Sequence, residues 1–254
     1  MIEVVGVSKK FGSVQVLTDI NAVFLQGKVN QIIGKSGSGK SVLAKCIVGL
    51  HTPEEGKVLY KGESFYELDG DAKRAVRQRI GMLFQGSALF DSQTVLENVM
   101  FPLRMFGKMA KGEMEDRAHT CLKRVNIVDK DGLYPAELSG GMQKRVGIAR
   151  AIVMNAEYLF CDEPNSGLDP QTSIVIDELI KEITVEFGTT TIVITHDMNS
   201  VMGTGEHIIF IHKGHKWWEG DREQLLTSDN KELNEFVFAG SLMKQVKRSM
   251  TGGA

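Results

Sequence analysis

The chain has few cysteines, few prolines and almost no excess of charge. Its 254 residues include three cysteines and five prolines, and the formal net charge is -2. Cys46, Cys121 and Cys161 are odd in number and lack the spacing of a metal site, so we expect buried, reduced thiols of a cytoplasmic protein. A near-neutral chain has no general attraction to polyanions. We therefore expect no nucleic-acid partner.

Long apolar runs are absent as well. No run approaches the roughly 18 apolar residues that a membrane-spanning helix needs, and Met1 leads into a strand pattern without the basic region of an export signal. We therefore expect neither a membrane span nor a standard signal peptide. The hydrophobic fraction of 42% suits an ordinary core, which predicts one compact domain with an inserted subdomain.

The most informative motif is GKSGSGKS, the phosphate loop, which fits the pattern G-x-x-x-x-G-K-[ST]. An apolar run before it predicts a strand, and the apolar spacing after it predicts a helix. Glycines at such a junction let backbone N–H groups surround a phosphate, and the helix dipole favours the same anion. Lysine adds a positive charge, and the final serine offers a hydroxyl to Mg²⁺. The predicted nucleotide-binding residues are Gly34, Ser36, Gly37, Ser38, Gly39, Lys40 and Ser41.

Two carboxylates follow a buried-strand run, Tyr158 to Cys161. Ligands of α/β proteins are bound at the carboxyl ends of strands. Asp162 is therefore a candidate Mg²⁺ ligand, and Glu163 is a candidate general base. Neighbouring acids in a loop are commonly only solvated, but the phosphate loop upstream favours a functional interpretation here.

Two other predicted strands end in polar residues. Residues 80–85 predict a strand that ends in the amide of Gln85, a candidate ligand of the metal or of the attacking water. Residues 189–195 predict a strand that delivers His196, which would be placed to sense phosphate charge.

A glycine pair stands at the start of another predicted helix. Ser139, Gly140 and Gly141, which we call the Ser-Gly-Gly corner, precede an amphipathic run. Backbone N–H groups at such a helix start form an anion-binding nest. The turn 166–170 opens a further long helix.

The N-terminal residues predict a small antiparallel sheet. Strands at residues 2–7 and 14–24 would be joined by a polar turn at residues 8–13, in which Phe11 is the one aromatic residue. Phe11 either covers an edge of the core or stacks on a nucleobase. The sequence leaves both interpretations open.

Residues 87–155 predict a helical, methionine-rich segment in which Pro102 interrupts a helix that begins near Val95. Its Met and Phe residues form either a core stripe or an adaptable groove for a partner helix. Residues 236–254 are basic and amphipathic when drawn as a helix. They are either a frayed tail or a segment that docks on a neighbouring subunit or on a membrane surface.

Six elements in this order resemble the nucleotide-binding subunit of an ABC transporter over residues 1 to about 230. They are the phosphate loop, Gln85, Leu138 to Met142, Asp162-Glu163, Ser166 to Asp169 and His196. The resemblance implies an α/β P-loop ATPase with a mixed or parallel core sheet, a small antiparallel β subdomain and an inserted α-helical subdomain at about 87–155. The ATPase domain would span 1–235 and the C-terminal extension 236–254.

The resemblance also implies ATP and Mg²⁺ as cofactors and a head-to-tail homodimer. Each ATP would lie between the phosphate loop of one subunit and the Ser-Gly-Gly corner of the other, with Asp169 linking the two sites. Phe11 would stack on adenine. Met142 stands where the family usually has Gln, which leaves the corner itself intact. The implied catalytic residues are Lys40, Gln85, Glu163 and His196, and the implied metal ligands are Ser41, Gln85 and Asp162.

Within the family, the stretch 82–91 together with residues 98–104 is similar to the ATPases of Mla/MCE-type phospholipid transporters. This similarity implies an integral-membrane permease and a periplasmic MCE lipid-binding protein as partners, with the ATPase on the cytoplasmic face of the inner membrane. Polar amino-acid importers use similar ATPases. A soluble ABC ATPase of iron–sulfur assembly is a further alternative.

Overall fold

The computed structural model describes residues 1–107 and 109–239. Within these ranges the chain forms ten strands and nine α-helices. The strands are β1 (Ile2–Phe11), β2 (Val14–Phe24), β3 (Val29–Ile33), β4 (Glu55–Tyr60), β5 (Glu63–Ser64), β6 (Ile80–Leu83), β7 (Tyr158–Asp162), β8 (Thr190–Thr195), β9 (His207–His212) and β10 (His215–Gly220). The helices are α1 (Lys40–Ile47), α2 (Gly70–Gln78), α3 (Val95–Phe106), α4 (Lys111–Arg124), α5 (Gly140–Ile152), α6 (Pro170–Phe187), α7 (Met198–Thr204), α8 (Arg222–Thr227) and α9 (Lys231–Val237).

The core sheet has six strands in the order β10-β9-β3-β8-β7-β6. The pairs β3–β8, β3–β9, β7–β8 and β6–β7 are parallel, and only the edge strand β10 runs antiparallel to its neighbour. The five parallel strands β9, β3, β8, β7 and β6 therefore end at one edge of the sheet. This confirms the predicted P-loop fold with a mixed, largely parallel core sheet.

A second sheet is antiparallel and has the order β2-β1-β4-β5. The predicted small antiparallel sheet is confirmed, but the predicted turn at residues 8–13 is wrong. Lys9, Lys10 and Phe11 pair with β2, so the strand continues and only Gly12 and Ser13 form the turn. The pairing of β1 with β2 continues past register shifts between Val4 and Val7, between Val7 and Lys9, and between Lys9 and Lys10. Irregularities of this kind bend a strand without ending its pairing.

Three helices, α3 to α5, lie between β6 and β7 in the chain. The prediction that Pro102 interrupts the first of them is wrong, because α3 runs through it to Phe106. A proline inside a helix removes one backbone hydrogen bond. A capping box between Thr94 and Glu97 and the burial of one apolar face stabilise α3 around this defect. Residues 87–94, predicted to begin the helical segment, form no helix.

The three cysteines are buried and free, as expected for reduced thiols. Val237 and Phe238, near the end of the described residues, pack into an apolar cluster with α7 and β9. The amphipathic tail predicted for residues 236–254 lies outside the described residues from Gly240 onward. Among the residues that the structure describes, no helix has the length and apolar character to cross a membrane.

Candidate functional site

A cleft of about 1080 Å³ opens beside the start of α1, at the carboxyl edge of the core sheet. The phosphate loop, Gln85, Glu163 and His196 all line it. Because β3, β6, β7 and β8 run in parallel, the residues that follow them meet at this edge. The structure thus brings together four predicted elements that are distant in sequence.

The phosphate loop folds into a tight cradle. Gly34 has a φ of 150°, and a Cβ built there would lie 2.3 Å from the carbonyl oxygen of Ile211. Only glycine therefore allows this close approach of the loop to β9. Lys40 is 7% exposed, and its Nζ donates to the carbonyl oxygens of Gly34 at 2.8 Å and Lys35 at 3.1 Å. Burial lowers the pKa of Lys40, whereas the carboxylates of Glu163 and Asp162 raise it.

Ser38 shows that this cradle fits an anion. Its hydroxyl oxygen is buried and has no hydrogen-bond partner among the described residues. A buried hydroxyl without a partner is costly. The Ser38 hydroxyl and the cationic Lys40 stand at the start of α1, where the helix dipole also favours negative charge. A phosphate would satisfy all three.

Asp162 and Ser41 form the oxygen-rich part of the site. The Ser41 hydroxyl donates to Asp162 Oδ1 at 3.3 Å. Burial raises the pKa of Asp162, and the hydrogen bond from Ser41 opposes this shift. Hydroxyl, carboxylate and amide oxygens are the donors that Mg²⁺ prefers. The donor set of Ser41, Asp162 and Gln85 therefore suits that ion.

Glu163 and His196 are in direct contact. His196 Nδ1 lies 2.8 Å from Glu163 Oε1, a distance at which an N–H on this ring nitrogen donates to the carboxylate. The Glu163 side chain is 15% exposed and that of His196 is 66% exposed. The backbone of Glu163 has a φ of 49°, in the left-handed region that non-glycine residues seldom adopt. The carboxylate is thus held at the cleft by a constrained backbone.

Two predicted residues lie differently from expectation. Gln85 lines the cleft, but it follows β6 by two residues rather than ending it. Phe11 is not among the residues that line the cleft. Its ring packs edge-on against His51 with 5.3 Å between centroids, Lys9 Nζ lies 5.1 Å from its ring centroid, and 44% of the residue is exposed. Phe11 is therefore not a buried core residue, and covering an edge of the core and stacking on a base both stay predictions.

The Ser-Gly-Gly corner is elsewhere on the surface. Ser139 caps α5 by accepting a hydrogen bond from Met142 N at 3.3 Å, and Ser139 and Gly140 are exposed. None of the three residues lines the cleft of the same chain. Asp169 caps α6 by accepting from Gln171 N and Thr172 N, and the hydrogen bonds from Thr172 lower its pKa. Its role in linking two sites stays a prediction.

Sequence reasoning missed part of the cleft wall. Val16 from β2, Asn199 from α7 and residues 235–237 of α9 also line it. Asn199 follows His196 by three residues, so examining the residues next to His196 could have identified it. The α9 residues carry no motif, so only the packing of the C-terminal helices brings them to the cleft.

Comparison with known proteins gives consistent results. The family described as "ABC transporter" matches residues 17–166. A "Probable ribonucleotide transport ATP-binding protein mkl" of Mycobacterium leprae (strain TN) is 36% identical over 236 residues, which are 93% of this chain and 68% of that protein. A "Methionine import ATP-binding protein MetN" of Clostridium acetobutylicum is 37% identical over 237 residues, covering 93% of this chain and 74% of that protein. The chain thus spans about two thirds to three quarters of the length of these relatives.

Solved structures agree with the sequence relatives. A dimeric post-hydrolysis state of the ATP-binding cassette MJ0796 bound to ADP and Pi superposes with a TM-score of 0.79 and 35% identity, covering 87% of this chain and 98% of that one. The structure of cbiO1 from Clostridium perfringens, part of the ABC transporter complex cbiONQ, gives a TM-score of 0.83 and 27% identity, with 98% of each chain covered.

Proposed function

Since this chain belongs to the ABC transporter family and is an ATP-hydrolysing enzyme that uses ATP with Mg²⁺, we propose that it is the energy-supplying subunit of a membrane transporter whose cargo is phospholipid. The observation that carries the hydrolytic part is the contact of Glu163 with His196 in the same cleft as the phosphate loop.

In the proposed reaction Lys40 turns from its carbonyl partners to the β- and γ-phosphates of ATP. Glu163 accepts a proton from water as the water oxygen bonds to the γ-phosphorus, and the bond from that phosphorus to the bridging oxygen breaks to leave ADP. His196 orients Glu163 and faces the γ-phosphate. Bound Mg²⁺, held by Ser41, Asp162 and Gln85, would neutralise phosphate charge. Phosphoryl transfer of this kind depends on positioning and charge stabilisation.

The proposed active form is a homodimer. The exposed Ser-Gly-Gly corner is a helix start with free N–H groups, and such a structure suits a phosphate. This corner does not line the cleft of its own chain, and we propose that it completes the cleft of a second copy. The dimeric structure of MJ0796 supports the dimer.

Replacement of Glu163 by Gln tests the hydrolytic proposal. The amide keeps the shape of the side chain but takes no proton, so we expect ATP turnover to fall by about 10²-fold or more. With MgATP the variant should elute from gel filtration as a dimer, because ATP stays bound. Glu178→Gln on the surface of α6 is the matched control and should keep wild-type behaviour. A Glu163→Gln variant that hydrolyses ATP at the wild-type rate would remove the base assignment.

A groove beside the Gln85 loop supports a permease partner. It has a volume of about 400 Å³, and its lining combines four phenylalanines and two methionines with smaller apolar residues and with Arg77, Gln78 and Arg150. Phe84, Phe90 and Phe106 are each about two fifths exposed. Adaptable apolar grooves of this composition suit a partner helix. We propose that a helix of an integral-membrane permease binds here, which would place the chain on the cytoplasmic face of the inner membrane.

We also propose that the cargo is phospholipid and that a periplasmic MCE lipid-binding protein is a partner. Both proposals rest on the similarity of residues 82–91 and 98–104 to Mla/MCE-type ATPases. The relatives named for methionine import favour a second candidate, the ATPase of a polar amino-acid importer. Nothing in the described site favours the iron–sulfur assembly alternative.

Affinity purification from detergent-solubilised membranes tests the partner. We expect a multi-spanning membrane protein to co-purify with the wild-type chain. The amount recovered should fall at least fivefold with Phe106→Ser, because the polar side chain weakens the apolar contacts made in the groove. Phe187→Ser changes an equally exposed aromatic residue at the end of α6 and should leave recovery unchanged. Recovery of soluble partners alone would contradict a transport role.

The same complex, kept in detergent, tests the cargo. Lipid extraction and mass spectrometry of the purified complex should find bound phospholipid, and its ATPase rate should not respond to methionine. Stimulation by methionine without bound lipid would favour the importer candidate instead.

A further inference from the structure

Lys144 is a buried cation that has one direct hydrogen bond and lies within the electrostatic reach of the Glu163 and Asp162 carboxylates without forming an ion pair with a described residue. It lies on α5 and is 3% exposed. In the part of the chain that the structure describes, its side chain makes one hydrogen bond, from Nζ to the carbonyl oxygen of Glu163 at 3.4 Å, and no ion pair. An ammonium has three donors, and buried charges are normally paired. Such a costly residue is poorly explained by stability alone.

The acceptor of this bond is the peptide that sets the direction of Glu163. The Glu163 N–H donates to the Ile194 carbonyl at 2.9 Å, and the Glu163 carbonyl also accepts from Ser166 N at 3.1 Å. These contacts hold the residue at its left-handed φ of 49°. A shift of the Lys144 ammonium would therefore change the forces on a constrained backbone that carries the carboxylate.

The N-terminal end of the same helix is the Ser-Gly-Gly corner, one to two turns before Lys144. Lys144 follows Ser139 by about 7.5 Å along the helix axis. A Cβ built at Gly141 would lie 2.5 Å from Thr172 Cγ2, so the first turn of α5 packs directly on the first turn of α6. A helix packed this closely transmits a displacement instead of absorbing it locally.

We propose that Lys144 is a positioning residue that couples the Ser-Gly-Gly corner to the carbonyl of Glu163 in the same subunit. The inference rests on the proposed homodimer, in which this corner contacts the nucleotide of the second copy. Binding of ATP in one cleft would then adjust the general base of the other cleft. Lys144 acts through Glu163, and it does not line the cleft itself.

Lys144→Met tests the coupling, because methionine fills a similar volume without the charge. Replacing a buried, poorly paired charge by an apolar side chain is often neutral or stabilising. We therefore expect the Tm to stay the same or rise, while kcat for ATP hydrolysis falls at least tenfold and KM changes less than twofold. With MgATP the variant should accumulate as a dimer, because binding and closure remain while hydrolysis is slow. Lys123→Met, at an exposed position on α4, is the control for the substitution.

The outcomes separate this inference from the proposed function. If Glu163→Gln forms the ATP-bound dimer but Lys144→Met hydrolyses ATP like the wild type, the coupling is wrong and the proposed function stands. If Lys144→Met neither hydrolyses ATP nor dimerises, Lys144 supports binding and the coupling is also wrong. If Glu163→Gln itself fails to dimerise, the proposed function fails. Should Lys144→Met not fold, Lys144→Gln takes its place, with at least a threefold loss of kcat expected and an unchanged kcat overturning the coupling.

Discussion

The phosphate loop and the Ser-Gly-Gly corner are both glycine-rich helix starts, but they lie in opposite surroundings. The phosphate loop is walled by β2 and β9 and holds a buried lysine and a buried serine hydroxyl that has no hydrogen-bond partner in the described parts of the chain. The corner is exposed, and its serine is already used as a helix cap. The same local geometry thus forms a buried cradle in one place and an exposed helix start in the other, and in the proposed homodimer this helix start would complete the cleft of a second copy.

The difference has a consequence for catalysis. The cleft has its own lysine together with the proposed metal ligands and base, so we expect it to hold ATP without help from a second chain. In the proposed homodimer the corner contributes only when another copy brings a nucleotide to it. ATP binding and ATP hydrolysis should therefore respond differently to changes in the two regions.

The largest expected effect comes from Ser139→Arg. The side chain is exposed, so the subunit should fold with the loss of about 1 kcal/mol that removal of a helix cap costs. We expect ATP affinity of the monomer to change less than twofold and hydrolysis to fall by about 10²-fold or more, because the bulky cation blocks the second copy. Isothermal titration and a phosphate-release assay measure the two quantities.

A mixing experiment sharpens this result. Ser139→Arg and Lys40→Met are each expected to be inactive, but their heterodimer has one intact composite site. Half of randomly paired dimers are heterodimers with one intact site of two, so independent sites would restore about a quarter of wild-type activity. The coupling inferred for Lys144 predicts less than this, because the general base of the intact site belongs to the Ser139→Arg subunit, whose corner meets no bound nucleotide. Loss of ATP binding by the Ser139→Arg variant itself would contradict the separate roles of the two regions.

The second-largest expected effect concerns Asp177, which lies on α6. The first turn of this helix packs against the Ser-Gly-Gly corner. The Asp177 Oδ1 accepts from Ser200 on α7, the helix that follows His196. Burial raises the pKa of Asp177 to about 6, the Ser200 hydrogen bond opposes the shift, and the charge of Asp197 adds to it. Cys161 on β7 is the other titratable group that interacts with it.

The pKa of the Asp177 carboxyl is higher in the folded chain than in the unfolded chain, so protonation of this carboxyl stabilises the fold. Its contribution to the free energy of unfolding is complete below about pH 4 and is lost as the pH rises through about 6. The loss for a shift of this size is about 2 to 3 kcal/mol. Asp177→Asn keeps an acceptor for Ser200 but does not ionise. Urea unfolding between pH 4 and 8 should show the variant gaining stability relative to the wild type by this amount. A difference independent of pH would show that the carboxyl is not buried in solution.

The smallest expected effect concerns Phe11, which is not among the residues that line the cleft. If Phe11 stacks on the nucleobase, Phe11→Ala should weaken ATP binding by about 1 to 3 kcal/mol, with kcat at saturating ATP unchanged. Phe11→Tyr keeps the ring face and should bind ATP like the wild type. Equal affinity of the Ala variant would leave Phe11 with only its contacts to His51 and Lys9.

The sequence alone predicts some features of this chain and not others. The phosphate loop, Glu163 and His196 were predictable because each motif is a short run whose chemistry follows from its own residues and from the strand before it. The extent of β1 and the passage of α3 through Pro102 were not, because pairing with β2 and the burial of one helix face outweighed local turn and proline preferences.

By itself the sequence determined the order of the elements and the identity of the chemical groups, since these depend on local periodicity and on residue type. Only the tertiary structure decided which groups meet. It placed Glu163 against His196, put α9 at the wall of the cleft, left the Ser-Gly-Gly corner outside and set Lys144 beneath Glu163. These contacts join residues far apart in the chain, and the packing of parallel strands and helices, which no local pattern encodes, brings them together.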